Sequence, residues 1–157
     1  MGKTKAKLKD YQVRLLDAAE KAMESSYNPY SHFYVGAALL TIDDKIITGT
    51  NYENASYGNT ICAERSALFN ANVNGYRKFK AVAIIARGED FDVDRPTGPC
   101  GACRQSLFEA SQISDIDMEV IMSNTKRDKV IIKKISELLP YAFGPLDLEV
   151  DIKKYKR

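Results

Sequence analysis

Cys62, Cys100 and Cys103 are the three cysteines of a 157-residue chain. They stand in two short segments, Thr60-Ile61-Cys62-Ala63-Glu64-Arg65 and Pro99-Cys100-Gly101-Ala102-Cys103-Arg104. A single thiol plus a Cys-x-x-Cys pair offers three soft ligands, the number a catalytic zinc ion takes from protein when its fourth position is left for water. Glu64 follows the first ligand by two residues, where a carboxylate can take a proton from that water and pass it to a substrate. The chemistry this set could do is metal-assisted hydrolysis.

Three thiolates outweigh the two positive charges of zinc, so such a centre is a poorer Lewis acid than one with a histidine ligand. Something must offset the excess negative charge. Arg65 and Arg104 adjoin the ligand segments and are the candidates, together with positive helix ends, and Arg65 is favoured. Each residue also has a plainer reading. Glu64 could be a surface glutamate in the first turn of a helix, where the dipole favours it. The cysteines could form a structural zinc knuckle, although such sites close with four protein ligands. The chain has no fourth cysteine, and its one histidine, His32, falls in a loop before the first strand. A thioredoxin-like redox role for Cys100 and Cys103 fits poorly, because that motif follows the first strand of its fold.

The elements that must bring these residues together are legible from periodicity. Leu8, Tyr11, Leu15, Ala18 and Ala22 recur at spacings of three and four, which predicts an amphipathic helix from about Ala6 to Ser25. Pro29 ends it. Tyr34 to Leu40 and Ile46 to Asn51 read as two strands joined through Asp43-Asp44-Lys45, a hairpin. A polar loop from Asn54 to Thr60 leads to a helix beginning near Cys62, with Gly75 marking its end. Ala81 to Ala86 is a buried strand, and Gly88 to Gly98 a long acidic loop. A helix from about Gly101 to Gln112 and strands at Met118–Met122 and Lys129–Ile132 follow. Ile135 to Leu148 reads as a short helical turn and then loops around Pro140 and Pro145. This order fits an α/β sandwich with a mixed sheet. Right-handed strand-to-helix crossovers between parallel neighbours align the helix starts, which would bring all three cysteines to one side of the sheet. Thiols at helix starts ionise more readily, and the thiolate is the species that binds metal.

Length and composition limit the alternatives. The chain is read as one domain, residues 1–157, with an ordinary apolar content of 45%. The longest apolar runs are too short to span a membrane, and the first residues are polar and basic, so a soluble, cytoplasmic protein is expected. An odd number of cysteines argues for thiols kept reduced. The net charge is only +2, with the basic excess gathered in tails at about 1–8 and 150–157. These read as solvated termini. The interior is not basic enough for a nucleic-acid partner.

Separated blocks along the chain resemble the cytidine deaminases of pyrimidine salvage, the small homotetrameric type. Tyr27-Asn28-Pro29-Tyr30-Ser31-His32-Phe33-Tyr34-Val35-Gly36-Ala37-Ala38 looks like that family's opening block. Gly49-Thr50-Asn51-Tyr52-Glu53-Asn54-Ala55-Ser56-Tyr57-Gly58 looks like its ribose-binding block. The two zinc segments follow, and Leu138-Leu139-Pro140-Tyr141-Ala142-Phe143-Gly144-Pro145 looks like its C-terminal block. The resemblance covers about Tyr27 to Leu148; both termini extend beyond it.

That resemblance implies a three-layer α/β/α sandwich with a mixed five-stranded sheet and one zinc ion per subunit. It implies hydrolytic deamination of cytidine and 2′-deoxycytidine, with Cys62, Cys100 and Cys103 holding zinc and Glu64 as the proton carrier. Asn51 and Glu53 would bond the ribose hydroxyls, Phe33 would pack on the pyrimidine, and the backbone of Ala63 would contact the exocyclic amine. Phe143 would reach into a neighbouring subunit's site, with Ala55 and Tyr57 at the shared boundary, so that a homotetramer would be part of the catalyst. Plainer readings stand beside these: Asn51 and Glu53 as the polar face of a strand end, Phe33 as core, and Phe143 as local packing. A deaminase of a cytosine-bearing antibiotic such as blasticidin shares the two zinc segments, and a non-catalytic zinc module would share the cysteines. A polynucleotide deaminase would need a basic, aromatic-rich channel that the sequence does not offer.

Overall fold

Two faces of one sheet need covering, and the alternation along its strands shows how. The computed structural model describes residues 8–155; the tail residues Lys3, Lys5, Lys7, Lys156 and Arg157 lie outside them. The first helix, α1 (Asp10–Met23), buries Gln12, Leu15, Leu16, Ala19 and Met23 along one stripe. That stripe is turned slightly from the predicted one, with Leu8, Tyr11 and Ala18 only partly buried at its edge. The helix starts later than periodicity alone predicts because the Lys9 N–H donates to the Gln12 side chain at 2.8 Å.

The chain continues through β1 (Phe33–Thr41), β2 (Ile46–Thr50), α2 (Ala63–Val73) and β3 (Phe79–Gly88). Then come α3 (Gly101–Ser114), β4 (Glu119–Ser123), β5 (Val130–Lys134) and the single turn α4 (Ile135–Leu138). The sheet order is β2-β1-β3-β4-β5, and only β3 and β4 pair in parallel. Ala38, Leu40, Ala81, Ala83, Ile85 and Ile121 pack with Leu15, Leu16, Ala19 and Met23 of α1. The intervening residues Ala37, Leu39, Val82, Ile84 and Val120 pack with Ala63, Ala67 and Ala71 of α2 and Leu107 and Ala110 of α3. Period-two alternation therefore divides the core between α1 on one face and α2 with α3 on the other, giving three layers.

The topology also gathers one edge of the molecule. β2 and β3 are each antiparallel to β1, so they run in the same direction with β1 between them. The predicted alignment of helix starts is present, but α2 reaches it by crossing over β1 rather than by joining adjacent parallel strands. The N-terminal end of β1, beginning at Phe33, lies at this same edge, opposite Gly88 at the end of β3.

The C-terminal stretch departs from a simple solvated tail. Pro145–Leu148 and Ile152–Tyr155 form 3-10 turns, and the Arg77 Nη1 donates to the Tyr155 carbonyl at 3.1 Å.

Candidate active site

Both helices facing that edge begin on a cysteine. Cys62 is the N-cap of α2 and Cys100 the N-cap of α3, each with extended backbone and neither using its side chain to cap. The sulfurs are therefore free for another purpose while the helix ends supply positive potential. Cys103 lies one turn into α3 and is buried. The three Sγ atoms lie within 4.8 Å of one another, with Cys62 and Cys100 at 3.9 Å. Tetrahedral zinc with bonds of about 2.3 Å holds its sulfur ligands about 3.8 Å apart, so the donor set and its spacing fit one zinc ion. His32 is not part of this cluster: its Nδ1 faces a Glu89 carboxylate oxygen at 3.1 Å.

The charges around the sulfurs are unequal. Hydrogen bonding from Cys103 is the largest influence on Cys62; with help from Cys100 and Arg65, and against burial, it draws the Cys62 thiol down to about 5. The same interaction, followed by burial and the nearby Glu64 charge, pushes the Cys103 thiol up. Glu64, at the second position of α2, is 3% exposed. Burial raises its carboxyl above the usual range, and the negative charge of Cys62 adds to this; its own backbone N–H, the Cys103 thiol and Arg65 pull the other way. Burial works against the charge of Arg65, but the Cys62 sulfur, and then Cys103, more than offset it and hold the guanidinium above its ordinary value. Arg65 also donates to the Thr60 carbonyl at 3.1 Å. Arg104 is committed elsewhere, to the carbonyls of Pro99 at 2.9 Å and Leu138 at 3.0 Å. Of the two arginines, Arg65 is the one at the sulfurs.

A short ladder that the sequence does not reveal ties the next group of residues to the cluster. Tyr52 exchanges backbone hydrogen bonds with Ile61, the residue before Cys62, at 2.9 and 3.0 Å. On its other side, the Tyr27 N–H donates to the Asn51 carbonyl at 3.2 Å and the Glu53 N–H to the Tyr27 carbonyl at 2.8 Å. Asn51 and Glu53 flank Tyr52 and are both 8% exposed. Asn51 donates from Nδ2 to the Phe33 carbonyl at 2.8 Å and accepts from the Val35 N–H at 2.9 Å. Glu53 accepts from the N–H groups of Tyr30 at 2.9 Å and Ser31 at 3.1 Å, and from the Ser31 hydroxyl. Burial opposes ionisation of Glu53, but these bonds, with His32 nearby, hold its carboxyl below the ordinary value. Both side chains thus anchor the loop that leads into Phe33. The only sequence signal for this role is their alternate spacing about Tyr52.

The remaining predicted residues differ in exposure. Ala63, between Cys62 and Glu64, is the first residue of α2 and is buried. Phe33 is partly buried, while Ala55 is exposed. Tyr57 is 74% and Phe143 59% exposed. Within the chain, Phe143 is held through its carbonyl, which accepts from Gln105 Nε2 at 2.8 Å.

Comparison with known proteins bears on this arrangement. The family model for the zinc-binding region of cytidine and deoxycytidylate deaminases matches residues 9–119. A cytidine deaminase of Halalkalibacterium halodurans is 47% identical over 134 residues, covering 85% of this chain and 95% of the relative. One from Sporosarcina psychrophila is 44% identical over 135 residues, covering 86% and 93%. The crystal structure of cytidine deaminase from Burkholderia pseudomallei superposes with a TM-score of 0.75 at 44% identity, covering 83% of this chain and 98% of that one.

Proposed function

The chain belongs to the cytidine and deoxycytidylate deaminase family, and from that premise we propose that it converts cytidine and 2′-deoxycytidine to uridine and 2′-deoxyuridine. Water is consumed and ammonia released. The observation that carries this reading is a buried carboxyl, Glu64, set beside three convergent sulfurs at the starts of two helices.

Zinc held by Cys62, Cys100 and Cys103 supplies the Lewis acidity that makes water a competent nucleophile near neutral pH. The remaining work falls to the chain's own groups. Burial raises the Glu64 carboxyl above the ordinary carboxylate value, which favours its holding a proton that it must later give up. Glu64 takes one proton from the attacking water and passes it to N3 of the base. It then takes the second from the hydroxyl now on C4 and delivers it to the departing amine as the C4–N bond breaks and the C4 carbonyl forms. Pyrimidine aromaticity is lost on the way, so these contacts must favour the tetrahedral species over the substrate. Arg65 offsets the negative charge of the sulfurs.

Asn51 and Glu53 have capacity left for the ribose. The Asn51 amide group has two N–H donors and uses one on Phe33; the Glu53 carboxylate has about four acceptor sites and three incoming bonds. One further hydroxyl contact at each is the role assigned to them. Phe33 packs on the pyrimidine, and the Ala63 backbone faces the exocyclic amine. The exposed apolar side chains of Tyr57 and Phe143, with Ala55, support a homotetramer whose sites are shared between subunits. Three free cysteines suit a reducing compartment and support a cytoplasmic location. Among the described residues, no helix is long and apolar enough to cross a membrane.

Metal analysis combined with assays on cytidine, deoxycytidylate and blasticidin tests this reading. One zinc per chain and turnover of cytidine are expected; bound zinc without turnover, or turnover of the antibiotic alone, would overturn it. Phe143→Ala is expected to raise KM or weaken the assembly, and a variant unchanged in both would remove the shared site.

A further inference from the structure

β1 and β3 end on a pair of unequal size. Phe33 stands directly opposite Gly88, and residues paired this way project from the same face of a sheet. Gly88 leaves that place empty of its own side chain, and the ring of Phe91 fills it. A Cβ added at Gly88 would meet three ring atoms of Phe91 at 2.2, 2.3 and 2.5 Å. Phe91 thereby comes beside Phe33, with ring centroids 6.5 Å apart and planes inclined at 33°. This is within the range in which aromatic rings attract one another.

The turn that carries Phe91 is fastened at several points. The Gly88 N–H donates to the Phe91 carbonyl at 2.9 Å, and the Glu89 N–H to the His32 carbonyl at 2.9 Å. The His32 ring returns to Glu89 at 3.1 Å, and Lys126 pairs with Asp92 at 3.3 Å. Yet the Phe91 side chain is 62% exposed, so burial in the core does not account for a phenylalanine there. Its organised contact is with Phe33, the first residue of β1, which follows the loop already anchored by Asn51 and Glu53.

We propose that Phe91 is a positioning residue for the reaction: its ring holds the Phe33 ring in the orientation that packs on the pyrimidine, and Gly88 provides the room. The inference rests on the reading of Phe33 as the pyrimidine-facing ring. Phe91 acts through Phe33 and needs no contact with the substrate.

A double-mutant cycle on the zinc-loaded protein, read as KM and kcat for cytidine, tests it. Phe91→Ala should raise KM about two- to ten-fold, with kcat within about two-fold and zinc content unchanged. Phe91→Tyr, which keeps the ring, should restore KM. The Phe33→Ala/Phe91→Ala double variant should be no worse than Phe33→Ala alone, because the second ring has nothing left to hold. Gly88→Ala should reproduce the KM of Phe91→Ala by displacing the ring, and should add little when Phe91 is already alanine. An unchanged KM in Phe91→Ala while Phe33→Ala raises it would overturn the inference, and so would additive effects in the double variant. An unchanged KM in Phe33→Ala would overturn the substrate role of Phe33 itself, and this inference with it.

Discussion

Gly49 of β2 lies so close to α2 that a methyl group on it would sit 2.2 Å from the Ala67 amide nitrogen. The same methyl would be 2.6 Å from the Ala63 carbonyl oxygen. Both neighbours are helix backbone and cannot swing aside. Together with the alanine face of α2, this glycine sets how deeply the helix seats on the sheet, and hence where Cys62 and Glu64 stand.

Gly49→Ala should therefore act on the site from a distance. Overpacking of this kind costs about 1–3 kcal/mol, and relief requires α2 to move outward with its ligand. Thermal unfolding and metal analysis should show lower stability together with lower zinc occupancy. Normal values of both would mean that the helix position is not set here.

Arg65 and Arg104 should separate cleanly. Arg65→Gln removes the cation at the Cys62 sulfur, and loss of an outer partner of this type weakens metal binding or activity by about 10–100-fold. Arg104→Gln instead frees two carbonyls that hold the Pro99 segment and α4, costing about 1–3 kcal/mol of stability. Competition with a chromophoric chelator, beside urea unfolding, distinguishes them. Equal zinc affinity in wild type and Arg65→Gln would remove Arg65 from the account.

The raised carboxyl of Glu64 gives stability a pH dependence of defined sign. The native state keeps a proton that the unfolded chain gives up, so stability falls as pH rises from the ordinary carboxylate value through the raised one. Glu64→Gln removes that slope. In zinc-stripped protein unfolded by urea between about pH 4 and pH 8, the Gln variant should gain on wild type as pH rises. A difference that stays flat, or moves the other way, would contradict a buried carboxyl with a raised pKa.

Local patterns made much of this molecule readable. The apolar run Tyr34–Leu40, the turn at Asp43-Asp44-Lys45 and the stretch Ile46–Asn51 located the β1–β2 hairpin, the Ala81–Ala86 run marked β3, and both zinc segments fall at helix starts as expected. What escaped depends on long-range pairing. Nothing near β2 indicates that β1 separates it from β3, because strand order is decided by which faces the helices cover. The Tyr27–Tyr52–Ile61 ladder joins three loops distant in sequence, so no local spacing announces it. Asn51 and Glu53 stand out as polar residues, but their service to the Tyr27–Phe33 loop emerges only when Phe33, Val35, Tyr30 and Ser31 arrive beside them. Gly49 reads as an ordinary strand glycine and Gly88 as the start of a loop until the neighbours that exclude a side chain are in place.

The central claim is that Glu64 carries the protons while the three cysteines hold zinc. The most direct test is the turnover of cytidine per bound zinc in Glu64→Gln beside wild type. Retained zinc with turnover reduced by about 10²–10⁴-fold is the predicted result. Turnover at the wild-type rate per zinc would contradict it.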